Sequence, residues 1–128
     1  MKVAVTLFAL LVAAPCAAQD VAAGEVLYKQ KCAACHQPTG KGVKGAFPAL
    51  AGDALVLGDP ALLSRMLLVG KGGMPTFKRL MTDQQIADVL SFVRSSFGNS
   101  AAPVLPDVVA AMRATLPASG GPTGPLGN

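Results

Sequence analysis

Residues 32–36 read Cys32-Ala33-Ala34-Cys35-His36, and the fold follows from what that spacing can hold. Two cysteines separated by two residues, with histidine directly after the second, are what covalent attachment of a c-type haem requires. One helical turn sets the two thiols along the same face, where each can add to a vinyl group of haem as a thioether. The imidazole of His36 is then held under the porphyrin, where it can bind the iron. Zinc or a redox dithiol would also use paired cysteines. A structural zinc site takes four ligands, and the only other cysteine, Cys16, lies in a segment expected to be removed. A thioredoxin-like pair belongs beside a βαβ pattern, and no strand pattern precedes Cys32. His36 is the only histidine of the chain, so no second imidazole competes for the iron.

Upstream, residues 1–18 read as a secretory signal peptide. Lys2 supplies the positive start, Val3 to Ala14 is an apolar run too short to span a bilayer, and Cys16-Ala17-Ala18 offers small residues for cleavage after Ala18. A lipid anchor would use Cys16, but Pro15 before it fits poorly. The expected mature chain therefore has no transmembrane segment and lies in the periplasm. Haem attachment to cysteines belongs to such an oxidising compartment, where unprotected thiols would otherwise pair. Without Lys2 the chain has ten basic and seven acidic residues. Its lysines are scattered among glycines rather than interleaved with aromatics, which excludes nucleic acid as a partner.

Downstream, the pattern is helical throughout. Asp20 can cap a helix running to Cys35, with Val21, Gly24, Tyr28 and Cys32 near one face. Glycine inside a helix costs about 1 kcal/mol against alanine, so Gly24 points to the close approach of a second helix. Gln37 to Gly45 is a polar, glycine-rich loop. In Phe47-Pro48-Ala49-Leu50, the Pro48 carbonyl can accept the second ring N–H of His36, fixing the ring and raising its basicity. Asp59-Pro60 opens a helix whose Leu62, Leu63, Met66, Leu67 and Val69 should be mostly buried, and Gly70 stops it. Lys71-Gly72-Gly73-Met74-Pro75 is a loop. Thr82 to Gln85 forms a capping box, followed by Ile86, Val89, Leu90, Val93 and Phe97 at helical spacing, with Gly98 as the stop. The Val89/Phe92 side of this helix should meet Gly24 and Tyr28. Residues 106–116 could form a short helix, and the Pro/Gly-rich 117–128 reads as a disordered tail. The fold class expected is all-α, with one domain over 19–98 and a C-terminal extension over 99–128.

A domain this small buries little surface, and no disulfide is available to it. A haem among short helices supplies the missing apolar core, with Phe47, Leu50, Leu62, Leu67, Phe77 and Leu90 as plausible walls. The sixth position on iron then decides the chemistry. An open position suits ligand binding or peroxidase chemistry, whereas methionine sulfur makes an electron-transfer site. The protein candidates are Met66, Met74, Met81 and Met112. Met74 is favoured, because its loop glycines let the backbone approach a flat ring and Pro75 stiffens the exit.

Together these residues resemble a class I (monohaem) cytochrome c over about residues 20–98. The resemblance rests on Gly24 and Tyr28 before the Cys32–His36 motif, on Phe47-Pro48-Ala49-Leu50, on Gly73-Met74-Pro75 and on Leu90-Ser91-Phe92-Val93. It implies a small cytochrome c fold, one covalent haem c, iron ligated by His36 and Met74, Pro48 as the histidine's partner, and a crossing of the first and last helices at Gly24, Tyr28 and Phe92. One departure stands out: the chain has no tryptophan, which many relatives use near a propionate. Gly72-Gly73-Met74-Pro75 and the stretch from Ser91 to Asn99 are similar to bacterial periplasmic cytochromes that serve dehydrogenases or oxidases. The function implied is a periplasmic one-electron carrier rather than an enzyme, its redox partner docking at a haem edge rimmed by Lys41, Lys44, Lys71, Lys78 and Arg79. Two alternatives remain: an electron-transfer subunit permanently docked in a dehydrogenase or oxidase, and a haem enzyme or ligand sensor with an open sixth site.

Overall fold

A computed structural model describes residues 19–118; the expected signal peptide and most of the expected tail lie outside the described residues. Among the described residues six helices follow one another: α1 (Val21–Lys31), α2 (Ala33–His36), α3 (Ala54–Leu57), α4 (Pro60–Val69), α5 (Asp83–Ser95) and α6 (Pro106–Ala114). The described residues form no strand, only the isolated bridges Val43–Phe47 and Lys71–Met74, which close two tight turns. The all-α expectation holds.

The caps explain where the helices begin. The Asp20 carboxylate accepts from the Ala23 N–H at 2.9 Å, and Asp59 accepts from Ala61 at 2.7 Å with Pro60 in the first turn. Thr82 and Gln85 form the reciprocal capping box. Asp53 caps α3 through the N–H groups of Leu55 and Val56, both at 3.0 Å. Sequence reading missed that helix because four residues are too few to show a period. The helix expected from Asp20 to Cys35 is two. Cys32 leaves helical geometry at φ −120°, its N–H donating to Tyr28 and its carbonyl accepting from His36, each at 2.9 Å.

α1 and α5 cross at the glycine. A Cβ on Gly24 would stand 2.1 Å from the Asp88 carbonyl oxygen and 3.0 Å from Phe92 Cβ. The nearest atoms to Gly24 are those of Asp88 and Phe92, and Val89 is buried in the same core cluster as Tyr28. Buried Asp88 tightens the crossing, accepting from the Asp20 N–H and from Gln84 Nε2, each at 2.8 Å. Tyr28, Phe92 and Phe97 then stack in a triangle of rings with centroids 5.1–5.7 Å apart.

The core joins Tyr28, Leu63, Leu67, Leu68, Phe77, Met81, Ile86, Val89, Leu90 and Val93 to Val104 and Val109. On α4 the inward face is Leu63, Ser64, Leu67 and Leu68. Leu62 and Val69, expected inside, are 55% and 46% exposed, because α4 packs against both α5 and α6 and is turned to face them. Val21, placed with Gly24 on the inner face of α1, is likewise exposed. α5 ends at Ser95, short of Gly98. Phe97 takes a left-handed φ of 60°, which swings its ring over Gly40, where a Cβ would lie 2.4 Å from that ring. Such a conformation costs a non-glycine residue about 1 kcal/mol or more and persists only where packing holds it.

The packed unit continues past residue 98. Asn99 accepts from the Gly52 N–H at 2.8 Å and donates to the carbonyls of Leu50 and Val93 at 3.1 and 2.9 Å. Arg94, buried without an acidic partner, donates to the carbonyls of Val56, Gly58 and Ala102 at 2.6, 2.9 and 2.6 Å. Val104 and Val109 have no exposed surface, and α6 lies across α4 and α5.

Candidate functional site

His36 ends α2, and its Nδ1 donates to the Pro48 carbonyl at 2.9 Å. That bond leaves Nε2 with the free lone pair, the state in which an imidazole ligates a metal. Pro48 is brought there by backbone. The Gly42 N–H donates to the His36 carbonyl at 2.9 Å, and Val43 and Phe47 exchange two bonds at 2.8 Å. Gly42 sits at φ 63°, where a Cβ would come within 2.5 Å of the carbonyl oxygens of Phe47 and Pro48, so no larger residue allows the chain to fold back here. The Gly40 carbonyl accepts from Leu50 and Ala51 at 2.7 and 3.1 Å. Residues 37–51 therefore form a closed loop hung on His36. The Tyr28 hydroxyl ties its start, donating to the Gln37 carbonyl at 2.6 Å.

Cys32 and Cys35 are half-buried free thiols. Burial pushes the Cys32 thiol up to about 11, and the charge of Cys35 adds to the shift. The Tyr28 hydroxyl is pushed up to about 12, by burial first and by Cys32 second. Among the described residues no group of three histidine, cysteine, aspartate or glutamate side chains could hold a metal ion, so a zinc site has no partners for these thiols. The donor set fits haem c instead: two unpaired thiols in register and one imidazole whose other nitrogen is already engaged.

Met74 lies in the turn that follows α4. The N–H of Lys71 donates to the Met74 carbonyl at 3.2 Å, and that of Met74 to Lys71 at 3.0 Å. Gly70 and Gly72 have left-handed φ, and a Cβ on Gly70 would stand 2.6 Å from the Met74 oxygen. Past the turn, Thr76 Oγ1 donates to the Leu68 carbonyl at 2.6 Å and the Phe77 N–H to that of Leu67 at 2.8 Å. Met74 and Cys32 are both partly buried at the margin of the same core cluster. Met81 is 6% exposed and belongs to the core, Met112 packs partly against it, and Met66 is half-buried on α4.

The expected wall residues divide. Leu67, Phe77 and Leu90 are buried, and Leu50 is half-buried. Leu62 and Phe47 are exposed, Phe47 lining a cleft of about 410 Å³ with Lys41, Lys44 and Pro48. Of the proposed basic rim, Lys41, Lys44, Lys71 and Arg79 are exposed. Lys78 is not a free cation, since its ammonium donates to the Pro117 carbonyl. Sequence reading missed Gln37, Arg94 and Asn99. Their bonds involve main-chain groups, which leave no mark in the residue types that carry them.

The family model described as cytochrome c oxidase, cbb3-type, subunit III matches residues 19–93. The cytochrome c subunit of the quinone-dependent alcohol dehydrogenase of Gluconobacter oxydans (strain 621H) is 37% identical over 91 residues, covering 62% of this chain. This chain spans only 19% of that protein's length. Cytochrome c6 of Rippkaea orientalis is 34% identical over 89 residues, covering 67% of this chain and 79% of the relative. The solved structure of cytochrome c6 from the diatom Phaeodactylum tricornutum superposes with a TM-score of 0.52 at 31% identity, covering 61% of this chain and 94% of that one.

Proposed function

This chain belongs to the cytochrome c family, and from that premise we propose that it is an exported, periplasmic one-electron carrier with iron ligated by His36 and Met74. The family's cofactor is covalently bound haem c with its iron, and the family's chemistry is electron transfer rather than catalysis. Bound, that haem supplies a one-electron iron(III)/iron(II) couple. The protein's part is to fix ligands and keep water out. Cys32 and Cys35 tether the group, and Pro48 holds the His36 ring in one orientation. Met74 would supply the second protein ligand, from a turn that α4 and its glycines keep tight. Leu67, Phe77 and Leu90 provide apolar wall.

The observation that carries this reading is the 2.9 Å bond from His36 Nδ1 to the Pro48 carbonyl. With Nδ1 so engaged, Nε2 of the one histidine is the nitrogen available to a metal, which supports the reading. No helix among the described residues is long and apolar enough to cross a membrane, which suits an exported carrier. A second reading, a subunit docked permanently in a dehydrogenase, draws on the dehydrogenase cytochrome subunits among the relatives. In either case Lys41, Lys44, Lys71 and Arg79 would face the partner.

Replacing Met74 tests the ligand set. Met74→Ala should lower the reduction potential of the holoprotein and let the reduced form bind carbon monoxide. Met81→Ala should do neither, although emptying its core site costs about 2–5 kcal/mol of stability. Carbon monoxide binding by Met81→Ala but not by Met74→Ala would overturn the assignment.

A further inference from the structure

The chain beyond residue 93 lies outside the matched family region, yet α6 is anchored in the loop that carries Met74. Arg113, in the last turn of α6, reaches three acceptors. Its Nε donates to Asp83 Oδ1 at 2.6 Å, its Nη2 to the Met81 carbonyl at 3.0 Å, and its Nη1 to the Lys78 carbonyl. These acceptors lie along the second part of the passage from the Met74 turn into α5, between residues 78 and 83. Lys78 answers in the other direction, its ammonium donating to the carbonyl of Pro117 just past α6.

The passage therefore has two anchors. Behind it, Thr76 and Phe77 are bonded to the last turn of α4. In front of it, residues 78–81 are bonded to α6. The Arg113 side chain is only 24% exposed, and its planar fork matches three oxygens that a lysine could not reach together. This is not the arrangement of a solubilising charge.

We propose that α6 is a strap and that Arg113 is a positioning residue, keeping the Met74 loop closed over the sixth position of the iron. The inference rests on the assignment of Met74 as ligand. Without Arg113 the carbonyls of Lys78 and Met81 lose this partner, and only the α4 anchor and the exposed Lys78–Pro117 bond remain. The loop then opens more often. An external ligand reaches the iron only when the loop is open, so its apparent affinity scales with the open population.

Titration of the oxidised, full-length holoprotein with imidazole, followed by the Soret absorbance, measures that population. Arg113→Met should raise imidazole affinity about tenfold, the order expected for losing hydrogen bonds from a charged group. Arg113→Lys should fall between that variant and the wild type. Asp20→Ala, which removes the α1 cap, controls for general instability: it should lower the unfolding midpoint and leave imidazole affinity unchanged. Met74→Ala should raise affinity more than any of these. If Met74→Ala gains affinity and Arg113→Met does not, the strap is wrong while the ligand assignment stands. Equal gains in Arg113→Met and Asp20→Ala would reduce the effect to lost stability and also overturn the strap. No gain in Met74→Ala would remove the ligand assignment, and the strap with it.

Discussion

Tyr28 is buried and its hydroxyl donates to the carbonyl of Gln37, next to His36, the proposed iron ligand. Its acidity is held back chiefly by burial, which does not depend on the state of Cys32, and only secondarily by Cys32. Because the folded hydroxyl titrates near 12 against an ordinary value of 10.0, the folded chain retains a proton that the unfolded chain has lost between those pH values. Unfolding is then favoured as pH rises. The stability this residue contributes is fully present below pH 10 and is lost as pH climbs towards 12. Tyr28→Phe should flatten the stability profile in that window, and at neutral pH it should cost about 1 kcal/mol for the missing hydrogen bond. Denaturant midpoints measured across pH for both proteins check this. At this scale the sequence was readable where a residue's chemistry is rare, as with His36, the paired cysteines and the Pro48 carbonyl opposite the ring. Arg94 and Asn99 were opaque, because their bonds run to main-chain groups whose placement depends on how distant segments dock.

Helix starts were legible because caps are local: Asp20, Asp59 and the Thr82/Gln85 pair announce them in the residue types themselves. Helix faces and ends were less so. The rotation of α4 that exposes Leu62 and buries Leu68 depends on α6, an element whose pattern is weak. The end of α5 is set by Phe97 reaching for Gly40, a contact between residues far apart in sequence. The crossing of α1 and α5 gives the sharpest test. Gly24→Ala gains about 1 kcal/mol of helix propensity but puts a methyl group 2.1 Å from the main chain of Asp88. Backbone cannot rotate away as a side chain can, and overpacking of this kind costs about 1–3 kcal/mol or more. The net expectation is a loss of about 1–2 kcal/mol, read as a lower urea midpoint. A stabilised Gly24→Ala would mean that the helices cross elsewhere.

As a whole molecule the all-α class and the covalent cofactor were legible from five residues, while the extent of the packed unit was not. Val104 and Val109 are completely buried in a segment that periodicity barely marks, since a strap needs only two or three inward residues to hold. Charge acts at this scale too. If Lys41, Lys44, Lys71 and Arg79 steer an acidic partner, bimolecular electron transfer should slow with added salt, as screening shortens their reach to about 8 Å at physiological ionic strength. Lys71→Glu should slow it further, whereas Lys29→Glu, at a position paired with Glu25 on α1, should not. A rate indifferent to salt would mark a permanently docked subunit instead. The α1–α5 crossing also has a consequence for synthesis. Asp20 and Asp88, which bond across it, are 68 residues apart, so α1 lacks its α5 partner until most of the domain has emerged from the translocation machinery. Closing so long a loop is entropically costly and slow relative to local helix formation. A chain that emerges N-terminus first therefore leaves α1, and the cysteines that follow it, unpacked against α5 until α5 arrives.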